Sequence, residues 1–205
     1  ELAESWSWSA DSKVLTFKLR QGVKWHDGKP FTAEDVKCTW DMLAEKGKQK
    51  FRKNPRESWY ANLKEVKVAS PTEVSFHLER PQPAMLDLLA GGYSPVYPCH
   101  VSPAQMRTKP IGTGPFKFVE FKQNEFIKLT KNTEYWKKGL PYLDAIEWTI
   151  VRSRSTRVLG FVAGEFDMTF PVDITVPLLK DVKSQRPQAI CELQPTNVVV
   201  NLLVN

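Results

Sequence analysis

Short segments in which apolar and polar residues alternate at every second position constrain the first half of the chain most strongly. Residues 14–20, 63–68 and 73–78 each place their apolar side chains on one face, which is the pattern of a strand with one buried side. A polar turn precedes the first of these segments, so Trp6 and Trp8 are predicted to lie on its partner strand. The first half is therefore predicted to be rich in β-hairpins.

Capping signals and apolar spacing predict the helices of this half. The sequence Thr-Ala-Glu-Asp at 32–35 is similar to a capping box, so a helix is predicted to begin at Thr32 and to fade at Gly47. A shorter helix is predicted over 84–90.

In the second half, strands alternate with helices. Residues 116–121 and 126–130 predict a hairpin, and residues 145–151, 166–170 and 197–204 predict further strands. A helix over 156–163 is predicted to end at Gly164, and another over 174–182 is predicted to be capped by Asp173. This alternation is typical of a partly parallel sheet with crossover helices, so the predicted fold class is mixed α/β.

The junction between the halves reads Pro-Ile-Gly-Thr-Gly-Pro-Phe over residues 110–116. A dinucleotide-binding loop would have a further glycine at position 117, where this chain has Lys117 in a strand, so this pattern does not indicate phosphate binding. We interpret the segment as a connection in which Gly112 and Gly114 give backbone freedom and Pro115 marks the start of a strand.

The composition is that of a globular protein, with 41% apolar and 25% charged residues among 205 and a net charge of +6. No stretch approaches the roughly 20 apolar residues of a membrane-spanning helix. Six of the 29 basic residues lie within residues 46–56. Because no aromatic platform or recognition motif accompanies them in the sequence, this segment is predicted to be a solvated loop, with a nucleic-acid patch as the alternative.

The three cysteines, Cys38, Cys99 and Cys191, are far apart and show no C-x-x-C spacing. Neither a zinc cluster nor a disulfide scaffold is therefore indicated. Buried free thiols are predicted, and at most one bridge can form.

Reactive side chains show no catalytic or metal-binding spacing. The sequence Gly-Tyr-Ser-Pro-Val at 92–96 begins like a nucleophile elbow centred on Ser94, but Val96 stands in place of its last glycine. The three histidines, His26, His77 and His100, include no i, i+4 pair. No enzymatic activity, cofactor or metal site is predicted.

Tryptophan is in excess, with seven residues in the chain. Trp40, Trp136 and Trp148 are predicted to anchor the core. Trp59 lies on no periodic face, which makes it a candidate for contact with a ligand.

Five motifs, in order, cover nearly the whole chain. They are Leu-Ala-Glu-Ser-Trp at 2–6, the run from Phe17 through Val-Lys-Trp-His-Asp-Gly-Lys-Pro-Phe-Thr to Val36, Ile-Gly-Thr-Gly-Pro-Phe at 111–116, Asn-Thr-Glu-Tyr-Trp at 132–136 and Gly-Glu-Phe-Asp at 164–167. Together they resemble the family 5 extracellular solute-binding proteins, the dipeptide, oligopeptide and nickel receptors of ABC importers.

The resemblance implies a fold of the type II periplasmic-binding-protein kind, in which two lobes close around a solute and present it to a membrane permease. It also implies a periplasmic or extracellular location, with or without a lipid anchor, and a monomer that binds no nucleic acid. Residues 1–109 would form the accessory, inserted domain of the first lobe, and residues 110–205 part of its main α/β domain. Family members are more than twice this long, so the second lobe is expected to be absent here.

Two sets of side chains are predicted to face the solute. The resemblance suggests Trp59, Tyr93 and Ser94. Ligands of open α/β sheets bind beyond the carboxyl ends of strands, which adds the segment after the predicted strand over 166–170, with Phe170, Pro171 and Asp173. Packing or capping is the alternative for each of these residues, and for Asp173 it is a helix N-cap.

The sequence leaves several functional alternatives open. The solute could be a di- or oligopeptide, a nickel chelate, an opine or a sugar. A secreted peptide or glycan hydrolase would use Ser94 or a Glu/Asp pair. A docking or sensor lobe would bind a partner without transporting a solute.

Overall fold

Two compact units make up the chain. A computed structural model describes residues 1–170 and 173–191. The first unit comprises Glu1–Phe121 and Ile127–Trp148, and the second comprises Lys122–Phe126 and the chain from Thr149 onward.

A four-stranded antiparallel sheet forms the centre of the first unit. Its strands are β1 (Ala3–Trp8), β2 (Val14–Leu19), β3 (Leu63–Ser70) and β4 (Glu73–Leu78), in the order β1-β2-β4-β3. Trp6 pairs with Phe17 and Trp8 with Leu15, as expected for a partner strand. The hairpins predicted from alternation are therefore confirmed.

Helix α1 (Ala33–Leu43) covers this sheet and packs against β3 and β4. Trp40, only 3% exposed, meets the ring of Phe76 edge-on at 5.0 Å between centroids. The predicted capping box is present, because the Asp35 carboxylate accepts from the backbone N–H of Thr32 at 3.0 Å. The core thus lies between α1 and the sheet.

The remaining elements of the chain up to residue 149 are short. They are a 3₁₀ turn (Glu57–Tyr60), α2 (Met85–Ala90), α3 (Pro103–Met106), β5 (Phe116–Lys122), β6 (Phe126–Lys131) and β7 (Ala145–Thr149). The last three form a separate sheet in the order β5-β6-β7. Residues 46–56 contain no helix or strand, as predicted for the basic segment.

The second unit contains α4 (Arg154–Ala163) and α5 (Val176–Gln185), which pack together. Helix α4 ends as predicted, at Gly164 in the left-handed conformation with φ 86°.

Two predictions for the second unit are wrong. Residues 166–170 form no strand, so a partly parallel sheet is not seen among the residues that the structure describes; the strand expected over 197–204 lies outside them. Helix α5 begins two residues later than predicted and has Thr175, not Asp173, at its N-cap.

The prediction of three free thiols is also wrong. Cys38 and Cys99 form a disulfide, and of the described cysteines only Cys191 is free. The two cysteines are 61 positions apart in the chain. The backbone N–H of Cys99 donates to Asp35 at 3.0 Å, which holds the segment around Cys99 against α1 and so next to Cys38.

The junction segment uses its glycines differently from the prediction. Neither Gly112 nor Gly114 has a positive φ, so backbone freedom does not explain them. Their peptide groups instead bind His26, which accepts from Gly112 N–H at Nδ1 (3.1 Å) and meets Gly114 O at Nε2 (3.0 Å). The segment is thereby fixed to the loop that precedes α1.

Within the described ranges, no helix is long and apolar enough to span a membrane. The same residues contain no group of three or more His, Cys, Asp or Glu side chains arranged to hold a metal ion.

Candidate functional site

Two aromatic side chains of the first unit form an exposed pair. The rings of Trp59 and Tyr93 meet edge-on at 5.9 Å, and the two residues are 41% and 71% exposed. Arg56 donates to the backbone carbonyl of Tyr93, which ties the loop before the 3₁₀ turn to the segment after α2. The pair therefore offers exposed apolar ring surface beside a cation, features that small-molecule sites use.

Ser94 follows Tyr93 in the chain and is only 8% exposed. Its hydroxyl donates to the carbonyl of Leu88 at 2.7 Å, so the contact of 2.6 Å with buried Tyr60 has the Tyr60 hydroxyl as donor. Both hydrogen-bonding roles of Ser94 are therefore used inside the protein. Its side chain holds the segment that carries Tyr93 in place.

A shallow concavity of about 480 Å³ opens beside Trp59. Arg80, Pro81 and Pro83 line it together with Asn62. The Asn62 side chain organises this wall, because it donates to Arg80 O at 2.9 Å and accepts from Arg80 N at 3.1 Å. Trp59 thus stands next to a second cationic side chain on a braced loop.

Asp173, a candidate in the second unit, forms an ion pair with Arg157 of α4. Asp173, 2% exposed, accepts from Arg157 Nε at 2.9 Å and from Arg157 Nη2 at 2.5 Å. The hydrogen bonds from Arg157 hold the pKa of the Asp173 carboxyl below its usual range. Arg154 donates to the Asp173 carbonyl at 2.8 Å, so this residue joins α4 to the start of α5.

Phe170 lies next to this ion pair in the chain and is 55% exposed. Its carbonyl accepts from the backbone N–H of Asp173 at 2.9 Å. Pro171 lies outside the described residues. The structure thus brings Trp59, Tyr93 and Ser94 together in one unit, and Phe170 and Asp173 together in the other.

Sequence reasoning missed the arginines that support these candidates. Arg56 was grouped with the solvated basic segment, although it stands three residues before Trp59. Arg157 lies on α4, 16 positions before Asp173. The two residues pair only because α4 packs against the segment that contains Asp173, and the sequence does not show this packing. If Asp173 is taken to be buried, it needs a cationic partner, and this is the one signal for Arg157 that the sequence could offer.

Comparison with known families identifies the chain. Residues 1–205 match the model of the bacterial extracellular solute-binding proteins, family 5, and the chain belongs to this family. It is similar to the glutathione-binding protein GsiB of Escherichia coli (strain K12), with 33% identity over 178 residues. That match covers 83% of this chain and 33% of the relative, so the chain spans about a third of the relative's length.

Solved structures show the same relationship. The chain is similar to NikZ of Campylobacter jejuni in complex with Ni(L-His), with 28% identity and a TM-score of 0.77 over 91% of this chain and 37% of the other. It is also similar to the oligopeptide-binding protein AppA of Bacillus subtilis in complex with a nonapeptide, with 30% identity and a TM-score of 0.76 over the same shares, 91% and 37%. The predicted family and fold class, a partial lobe of the type II periplasmic-binding-protein kind, are confirmed.

Proposed function

We propose that the protein to which this chain belongs is the substrate-binding component of an ABC importer. It would capture a peptide-like or other small solute between two lobes and deliver it to a membrane permease. Membership of the family over the whole of residues 1–205 is the observation that carries this proposal. Family members are extracellular binding proteins, which supports a periplasmic or extracellular location and a role without catalysis.

Trp59 and Tyr93 are proposed as direct contacts with the solute. Their exposure and edge-on packing give a rigid apolar surface, and Arg80 in the adjoining concavity supplies a cation for an anionic group of the solute. Ser94 is proposed to position Tyr93, because its hydroxyl is committed to Tyr60 and Leu88.

In the second unit, Phe170 and Pro171 are proposed as contacts. Asp173 is proposed to hold that segment through its ion pair with Arg157. Residues 1–109 would correspond to the accessory domain of the first lobe and residues 110–205 to part of its main domain.

The intact receptor would close because the solute has a higher affinity for the closed state than for the open state. A solute that contacts both lobes in the closed state binds that state better, so it shifts the population toward closure. The permease would then recognise the closed form of the monomeric receptor.

Isothermal titration of the full-length protein tests this proposal. The panel should contain glutathione, longer peptides, a nickel–histidine complex and opines, because the relatives bind solutes of these kinds. We expect one class of solute to bind. Trp59→Ala should weaken the affinity for that solute by about tenfold or more, since a buried aromatic contact contributes at least about 1.4 kcal/mol. Trp6→Ala, which removes another exposed tryptophan in β1, is the matched control and should leave the affinity unchanged. Absence of heat for every class would reject the proposal.

The hydrolase alternative has a separate test. A nucleophilic serine needs a base within hydrogen-bond reach, whereas the Ser94 hydroxyl is bonded to Tyr60 and to a backbone carbonyl. We expect no turnover of chromogenic esters or peptides. Turnover that Ser94→Ala abolishes would favour the hydrolase.

A further inference from the structure

We propose that the first unit carries a second binding site, for a small organic polyanion, in a groove between the basic segment and α3. The groove has a volume of about 500 Å³, and four of its lining side chains are cations: Arg52, Lys53, Arg56 and Arg107. None of the described residues that line it carries a carboxylate. We call it the basic groove.

The positive charge of the basic groove is not neutralised by neighbouring acids. Within the described part of the chain, none of the ion pairs involves Arg52, Lys53 or Arg107. Among the residues that the structure describes, the Arg107 guanidinium donates only to the Pro103 carbonyl, at 3.4 Å. Several like charges around one concavity repel each other, and an anion bound between them relieves that repulsion.

An apolar floor distinguishes the groove from an ordinary solvated basic loop. The rings of Phe51 and Tyr97 lie 5.0 Å apart, and Met106 joins them in the lining. Phe51 and Tyr97 are distant in the chain, so the sequence alone shows no aromatic platform beside the basic residues. The fold supplies this platform.

Covalent and hydrogen-bonded links hold the two walls in place. The disulfide of Cys99 with Cys38 fixes the wall that contains Tyr97 to α1. Gln49 of the basic segment donates to Cys99 O at 3.4 Å, and Asn54 of the same segment donates to Leu43 O at 2.7 Å. Because the basic segment and the segment that carries Tyr97 are both anchored to α1, these parts of the lining require little ordering when a ligand binds.

The chemistry of the lining defines the ligand. Arginine and lysine side chains favour phosphate and carboxylate groups, and several such side chains around one site favour a ligand with at least two anionic groups. The rings of Phe51 and Tyr97 favour a flat or apolar part in the same molecule. A volume of about 500 Å³ is within the range of small-molecule sites, which favours a compact ligand such as a nucleotide.

Fluorescence anisotropy of pyrenetrisulfonate with the full-length protein tests the proposal. This probe combines an aromatic ring system with three anionic groups. Arg52→Ala/Arg107→Ala should weaken its binding by about tenfold, because two charge-assisted contacts are lost. Lys48→Ala/Lys50→Ala also removes two positive charges, from the basic segment but outside the lining, and should change binding by less than about twofold. Arg56 stays unchanged in all variants because it also contacts Tyr93.

Competition with unlabelled ligands separates recognition of the anionic groups from recognition of the aromatic part. ATP should displace the probe better than pyrophosphate, and Phe51→Leu should reduce this preference while leaving the affinity for pyrophosphate unchanged. Anionic phosphatidylglycerol vesicles distinguish the source of the phosphate: displacement by vesicles but not by ATP assigns the groove to lipid head groups, and displacement by ATP assigns it to a free molecule.

Three results would overturn the proposal. The first is an equal loss of affinity in the two double variants, which would mean that only net charge matters. The second is failure of ATP, pyrophosphate and vesicles alike to displace the probe. The third is a single-stranded oligonucleotide that competes better as it lengthens, which would indicate a polymer. The basic-groove variants should bind the transported solute as the unmodified protein does, so the outcome is independent of the proposed function.

Discussion

At the scale of single residues, His26 joins two parts of the first unit through a neutral ring. Since Gly112 N–H donates to Nδ1, the proton of the ring lies on Nε2 and is donated to Gly114 O. Protonation of Nδ1 would place two donors face to face. Burial is the main cause that lowers the pKa of His26, and Lys117 acts in the same direction, while Gly114 O and Asp27 oppose it.

The lowered pKa of His26 predicts a loss of stability in acid. The unfolded chain takes up the proton near a pH of about 6.5, whereas the folded chain resists protonation to lower pH. The contribution is fully present above that pH and declines as the pH falls toward the lowered pKa. His26→Gln should cost about 1 kcal/mol at pH 7.5 and flatten this decline. Urea unfolding of both proteins between pH 7.5 and 5 measures the difference, and parallel curves would contradict the prediction.

Asp35 is the second residue on which the first unit depends. Besides Thr32 N–H, its buried carboxylate accepts from the Trp25 indole at 3.1 Å and from Cys99 N–H at 3.0 Å. Asp35→Ala leaves three donors without this acceptor and should lower the free energy of unfolding by about 3 kcal/mol. Glu34→Ala removes an exposed acid from the same turn of α1 and should cost less than about 0.5 kcal/mol. Denaturant unfolding compares the two, and similar losses would show that only the charge at the helix start matters.

At the scale of elements, α4 depends on the absence of a side chain at Gly160. A Cβ atom there would lie 2.6 Å from the Phe166 ring, closer than atoms in contact allow. Alanine favours a helix over glycine by about 1 kcal/mol, but the clash should reverse the sign and give a net loss of about 1 kcal/mol.

A double variant isolates this clash. In a Phe166→Ala background the ring is gone and only the exposed Glu165 carboxylate, 3.2 Å from the added Cβ, has to shift, so Gly160→Ala should stabilise the protein by up to about 1 kcal/mol through helix propensity. Thermal unfolding of the four proteins measures the change in sign. The same effect in both backgrounds would mean that Phe166 does not restrict position 160.

The elements also show how far the sequence determines this fold. Strands β2, β3 and β4 follow from their alternation, and α1 and α4 from their end signals, because each of these patterns is local. Residues 166–170 alternate in the same way yet form no strand. A strand needs a partner strand for its hydrogen bonds, and the alternation of one segment carries no information about its partner.

The candidate site was predictable to a similar extent. Trp59 could be named as a candidate because it lies on no periodic face, which is a local feature, whereas Tyr93 was suggested by the family resemblance. Their edge-on contact, the Cys38–Cys99 disulfide and the Phe51–Tyr97 platform join distant segments. Only the folded chain specifies such contacts, so the basic groove could not be found from spacing.

At the scale of the whole molecule, the solute affinity should depend on residues beyond this segment. A pocket usually buries 70–90% of a small ligand, and a receptor of the proposed kind divides those contacts between two lobes. The isolated chain of 205 residues should therefore bind the solute at least about a hundredfold more weakly than the full-length protein, a difference of ~2.7 kcal/mol. Titration of both proteins with the solute identified from the panel measures this ratio. Cooperative unfolding of the isolated chain is the control, because the sheet β1–β4 and α1 share a core of their own. Equal affinities in a folded chain would place every binding contact within this segment and would reject the two-lobed capture mechanism.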